Sequence, residues 1–118
     1  MATHEEINAS LQSFYEGYQK NSKLKLINQD WNRVIMIKAG DIDSQHTLTL
    51  QNGELSLAQG APEQNPDLVV TSNSATLADL FIGKITPTEP FANGTLSIQG
   101  SEDDIVRLDF IALMIWGD

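Results

Sequence analysis

The stretch LTLQNGELSL constrains this chain more than any other. Leu48 and Leu50 alternate with threonines, Leu55 and Leu57 flank Ser56, and only Asn52 and Gly53 separate the runs HTLTLQ and ELSLAQ. An Asn-Gly pair between alternating runs predicts a β-hairpin, because a type I′ turn needs positive φ at both central residues. Such a hairpin has one apolar face. Two strands alone are marginal in water, so the leucines require further strands beside them and a second layer over them.

The rest of the chain supplies both. RVIMIKA is a short β-branched run before the hairpin, DLVVT follows the loop GAPEQNPD, and TLSIQG places Leu96 and Ile98 on one face of a fifth strand. Thr3 and Glu6 have capping-box spacing, and Ile7, Leu11, Phe14, Tyr15 and Tyr18 recur at helical steps, which predicts an amphipathic helix to about Lys20. Ser74 is placed to cap a helix carrying Leu77, Leu80 and Phe81, with Gly83 positioned to end it in the left-handed region. Thr86, Pro87 and Glu89 form a second capping signal, T-P-x-E, for a helix that Pro90 keeps short and Asn93 and Gly94 close. Ser101 with Glu102, Asp103 and Asp104 gives an N-cap and an acidic first turn, so these acids have a structural reason. NSKLKLINQDW reads as a connector, because the alternation of Leu24 and Leu26 breaks at Asn28. No repeat or linker interrupts the order, and a single domain over residues 1–118 is expected.

The final helix raises the question of where its surface goes. From Ile105 to Trp116 only Arg107 and Asp109 are charged, so the helix is apolar almost all round and has to be covered on more than one side. Three destinations are open: the core, the wall of a cavity for an apolar ligand, or an interface with a second copy, for which Met114 and Trp116 are suitable chemistry. Its longest apolar run, FIALMIW, falls far short of the roughly 18 residues needed to span a bilayer, and a transmembrane helix is not expected.

Charge narrows the partners. Seven Lys and Arg against sixteen Asp and Glu give a formal net charge of −9, without a basic cluster. No nucleic acid is expected as partner, and sustained docking on an anionic membrane surface is disfavoured. The absence of cysteine removes disulfides, thiol nucleophiles and thiolate metal sites. MATHEEINAS carries acids where a signal peptide needs a basic region and an apolar core, so a cytoplasmic location is expected.

The segment DLVVTSNSATLADLFIGKITPTEPFANGTLSIQGSEDDIVRL resembles the sterol carrier protein 2 family. It shares a strand giving way to a helix that ends in a Gly-Lys turn, then Pro, a Phe before a Gly, a strand, another Gly and a last helix. The upstream hairpin and the first helix fit the same order, and the likeness covers about residues 31 to 116. The resemblance implies an α+β fold, with a five-stranded, mainly antiparallel sheet and helices packed on one face, enclosing an apolar cavity. Family members bind sterols, fatty acids, fatty acyl-CoA or other lipids, and some bacterial relatives assist isoprenoid quinone synthesis. On that footing Phe81, Ile85, Phe91, Leu96, Ile98, Leu108, Phe110, Ile111, Met114 and Trp116 are expected to contact lipid. The expected partner is a fatty acid, acyl-CoA, sterol-like or isoprenoid ligand, with transient membrane contact, in a monomer or homodimer. The alternative is a protein-interaction or dimerisation module, accessory to a lipid or quinone biosynthetic enzyme. Two departures stand out: the acids at 102 to 104 replace small uncharged residues, and the sequence ends at Asp118 without a Ser-Lys-Leu signal or an extension to cover a tunnel mouth.

Catalytic chemistry is thin. Asp41 and Asp43 do not open a calcium loop, because His46 falls at the sixth position, where glycine is needed, and Asn52 at the twelfth, where glutamate is needed. A solvated turn is expected there. His46 beside Asp43 has no nucleophile motif to serve and, at the start of a strand, is expected to be exposed; His4 carries no signal. Asn93, Gly94 and Thr95 match a glycosylation acceptor, but without a signal peptide they read as a turn. No cofactor or metal is expected, and the chain reads as a binding protein and not an enzyme.

Overall fold

The Asn-Gly pair turns the chain as its chemistry dictates, with Asn52 at φ 54° and Gly53 at φ 84°. In the computed structural model, which describes residues 1–117, this turn joins an edge strand of the sheet to its inner neighbour. In chain order the elements are α1 (His4–Gln19), α2 (Ser22–Ile27), β1 (Arg33–Ala39), β2 (Ser44–Gln51), β3 (Glu54–Gln59), β4 (Leu68–Ser72), α3 (Ser74–Phe81), α4 (Thr88–Ala92), β5 (Ser97–Gln99) and α5 (Glu102–Trp116).

The strands form one sheet in the order β3-β2-β1-β4-β5. The β1–β2, β2–β3 and β4–β5 pairs are antiparallel, whereas β1 and β4 run parallel, with Ile35 opposite Leu68 and Ala39 opposite Ser72. The sheet is therefore mixed. Its parallel pair follows from the loop of residues 60–67, which leaves β3 near the level of His46 and must return to the level of Ile35 before β4 begins. Asp67 ties the end of that loop down, its N–H donating to the Val34 carbonyl and its carboxylate accepting from the Val34 N–H at 2.8 Å.

Period-two alternation selects the inner face of the sheet. Ile35, Ile37 and Ala39 of β1, Leu48 and Leu50 of β2, and Leu68 and Val70 of β4 are buried, and all belong to one core. The helical layer closes over them. α1 contributes Ile7, Leu11, Phe14 and Tyr18, α3 contributes Leu77 and Phe81, and α5 contributes Leu108 and Ile111. The α1 capping box forms as its sequence specifies: Thr3 Oγ1 accepts from the Glu6 N–H, and Glu6 accepts from the Thr3 N–H.

Three local expectations are corrected. Residues 22–27 form a helix where a connector was expected, because Asn21 caps it by accepting from the Leu24 N–H and Leu24 becomes a core residue. Asn28 closes that helix fully buried, where its Nδ2 donates to the Tyr18 hydroxyl, which in turn donates to the Gly53 carbonyl at 2.8 Å. At α3 the cap is Asn73 and not Ser74, and at α4 the T-P-x-E signal makes no side-chain cap. Thr86 lies one residue too early there, and Pro87, which takes the cap position, has no polar side chain to offer.

The acidic start of α5 is buried more deeply than a capping role requires. Asp104 is 8% exposed and accepts from Trp31 Nε1 at 2.9 Å and Arg33 Nε at 3.0 Å, while its own N–H donates to Ser101 Oγ. Arg33 and Arg107 each lie over the Trp31 ring, at 5.5 and 5.4 Å from its centroid. Burial alone would raise the Asp104 pKa, but the hydrogen bonds from Arg33 and Trp31 outweigh it and hold the carboxyl below its ordinary value.

His46 is also a correction, being fully buried instead of exposed. The start of α1 covers it: His4 stacks on its ring with centroids 4.4 Å apart, and Ser44 Oγ lies within hydrogen-bond reach of His4 Nδ1 and His46 Nε2. His46 Nδ1 has no partner. Burial first, and the neighbouring His4 second, push the His46 pKa down to about 4 from 6.5. The neutral ring is the folded form, so its contribution to stability is present above pH 6.5 and is lost as the pH falls towards 4. Denaturant titrations across that window should show a loss of about 2–3 kcal/mol that His46→Leu largely removes. The further loss below about pH 3.8 should survive in the variant, because Asp41 and Asp104, whose pKa values are lowered, cause it.

Candidate functional site

A cavity of about 290 Å³ opens between the sheet and the helical layer at the end where α3 and α5 finish. Its floor is Phe14 of α1 with Val70 of β4 and Ile98 of β5. Phe14 is held there edge-on to Phe81, with ring centroids 5.3 Å apart. Leu80, Phe81 and Gly83 form one wall, and Leu108, Ala112, Leu113 and Trp116 of α5 form the opposite one. The segment from Ile85 to Thr88 borders the mouth.

Each wall has a local cause. α3 ends because Gly83 takes φ 78°, and the Lys84 N–H then reaches back to the Asp79 carbonyl. A side chain at that glycine would have only 2.6 Å to Trp116 Cγ, so the missing Cβ lets the indole lie on the helix end. α5 presents its surface in three ways. Leu108 and Ile111 enter the core, Val106 and Leu113 remain 62% and 63% exposed, and the C-terminal turn borders the cavity. The expected cover on more than one side is thus incomplete, because among the other helices only α1 packs substantially against α5.

Of the residues expected to meet a ligand, Phe81, Ile85, Ile98, Leu108 and Trp116 border this cavity. Leu96 and Ile111 lie in the core, Met114 is partly buried against it, and Phe91 and Phe110 are 52% and 38% exposed. None of those five borders the cavity. Phe14, Val70, Leu80, Ala112, Leu113 and the polar Thr86, Thr88 and Asp109 border the cavity without being among the expected contacts. The first two were detectable, since Phe14 shares the buried face of α1 and Val70 alternates with Leu68. Thr86 precedes α4 and Thr88 opens it, and a helix of five residues is too short to show which side faces a cavity.

The two acids of the 41–43 turn have a structural task at one position. Asp41 is exposed, and its carboxylate accepts from both the N–H and the hydroxyl of Ser74, at 2.9 and 2.7 Å, which lowers its pKa. Ser74 Oγ in turn accepts from the Ala2 N–H. Among the described residues no group of three His, Cys, Asp or Glu side chains is placed to hold a metal ion. No helix among them is long and apolar enough to cross a membrane.

The mixed five-stranded sheet, one-sided helical layer and apolar cavity define a sterol carrier protein 2-like domain. The solved sterol carrier protein domain 2 of Helicoverpa armigera superposes with a TM-score of 0.67 over 96% of this chain and 90% of that one, at 16% identity. Palmitated SCP2L2 from Aedes aegypti does so with a TM-score of 0.55 over 82% and 92%, also at 16% identity. At such identities the likeness is one of fold. Residues 24–113 match the family described as alkyl sulfatase C-terminal, which shares this fold, and the chain belongs to that family. Hydroxysteroid dehydrogenase-like protein 2 of Xenopus tropicalis is 29% identical over 75 residues, 64% of this chain, which spans only 18% of that protein's length.

Proposed function

We propose that the chain is a single-domain, non-catalytic carrier that holds the aliphatic part of a lipid between its sheet and its helices. The observation that carries this reading is the cavity of about 290 Å³ with Phe14, Val70, Ile98 and Trp116 on its surface. At about 0.8 kcal/mol per buried methylene, a chain of about ten carbons has a gross drive near 8 kcal/mol, before ordering and association costs. Fatty acyl, isoprenoid and sterol-like chains all suit such a site, and the palmitated insect neighbour supports an occupant of this kind. The acidic, cysteine-free composition suits a reducing, cytoplasmic setting.

The test is titration with 1-decanol, followed by native mass spectrometry and by the emission of Trp116. Saturable, one-to-one uptake is expected, and Ala112→Phe, which fills the cavity, should abolish it while the far-ultraviolet circular dichroism stays unchanged. No saturable response in the wild-type protein would sink the carrier reading.

A second reading has its own observation. Val106 and Phe110 lie one turn apart on α5, exposed and outside the cavity lining, with Leu113, exposed but bordering the cavity, beside them, which suits a docking or dimerisation face. Light scattering tests the dimerisation form of that reading, which requires a dimer that Val106→Glu, outside the cavity lining, dissociates.

A further inference from the structure

The polar character of the cavity is one-sided. Asp109 supplies the sole ionisable side chain on its surface among the described residues. Two helices also turn their C-terminal ends towards it: Leu80 and Phe81 close α3, and Trp116 closes α5 beside Gly117. Helix C-termini carry partial negative charge, and although the Asp79, Leu80 and Leu113 carbonyls accept backbone N–H groups, neither of these helices has a basic residue in its last turn. α4 offers no compensation, because Pro87 at its start has no N–H and Glu89 lies in its first turn. Thr86 and Thr88 are neutral. Lys84 and Asp109 are both exposed, but Lys84 lies outside the cavity surface whereas Asp109 borders it, so the acid is the nearer charge to a ligand at the mouth.

We infer that this cavity is tuned against anionic head groups and takes aliphatic ligands whose head is neutral or cationic and donates hydrogen bonds. The inference rests on the carrier reading and narrows it. An alcohol or an amine finds an acceptor in the Asp109 carboxylate and a favourable field at the two helix ends, whereas a carboxylate, phosphate or sulfate meets negative charge with no cation on the cavity surface among the described residues. At about 30 Å³ per water-sized group, the space matches a chain of about ten carbons.

Decylamine and decanoate carry opposite unit charges on the same chain, so their difference isolates the sign of the field from general greasiness. Calorimetric titration at neutral pH should show decylamine binding about tenfold more tightly than decanoate, a gap that shrinks in Asp109→Asn and narrows with added salt. Decanoate binding as tightly as decylamine, or a gap unchanged by Asp109→Asn in a normally folded variant, would overturn the inference while leaving the carrier reading intact. Failure of 1-decanol to bind at all would instead remove the carrier reading and the inference with it.

Discussion

Phe14→Ala is expected to lower stability by about 4 kcal/mol, and an aliphatic ligand should restore part of that loss. Phe14 is 2% exposed, packs edge-on against Phe81 and forms the floor of the cavity, so its removal both deletes core contacts and enlarges an existing space. A Phe-to-Ala change in a core typically costs about 3–5 kcal/mol, and the higher part of that range applies where the surroundings cannot collapse. Here the sheet holds one side and α5 the other. A ligand that fills the enlarged space at about a hundredfold over its Kd returns roughly 2.7 kcal/mol by mass action. Thermal melts of the variant with and without 1-decanol check this. A melting temperature indifferent to 1-decanol, in wild type and variant alike, would mean that Phe14 is plain core and that the space beside it takes no chain.

Asp104→Ala is expected to destabilise the protein by about 3–4 kcal/mol, because it strands donors instead of deleting a contact. The buried Trp31 N–H loses its acceptor, and Arg33, whose side chain is 32% exposed, can be rehydrated only in part. The variant also loses a charge that favours the start of α5. Asp104→Asn provides the control. Its amide oxygen can still accept from Trp31, so the loss should be about half as large and should report mainly the missing charge opposite Arg33. Chemical denaturation at neutral pH distinguishes the two variants; equal losses would show that the charge carries the whole effect.

The consequences of Asp104 bear on the cavity as well. Its bonds to Trp31 and Arg33 fix the N-terminal end of α5 to the sheet side of the fold, while Trp116 on Gly83 fixes the other end to α3. The α5 wall is therefore held at both ends. Loosening either end should affect ligand uptake through the position of Leu108, Ala112 and Leu113, without any change in the polar groups that face the ligand.

Much of this was readable from local rules. Alternating leucines and the Asn52-Gly53 turn determined the hairpin and its buried face, the Thr3–Glu6 box and helical spacing determined α1, and Gly83 determined where α3 stops. Such features are local because period and turn chemistry act within a few residues, and the sequence by itself sufficed for them. Other features depend on partners far apart in the chain and have no periodic signature. The parallel pairing of β1 with β4 depends on the path of the loop between β3 and β4. His46 is buried because His4, at the start of the first helix and 42 positions away, folds over it. Asp104 is more than a helix-start acid because Trp31, 73 positions away, donates to it. The apolar residues of α5 illustrate the divide most directly: composition requires them to be covered, but a helix apolar all round does not say which side meets which neighbour. Only the packing of α1 and the sheet against it, with Gly83 beyond the end of α3 under Trp116, placed Ile111 in the core, Trp116 at a cavity and Val106 in water.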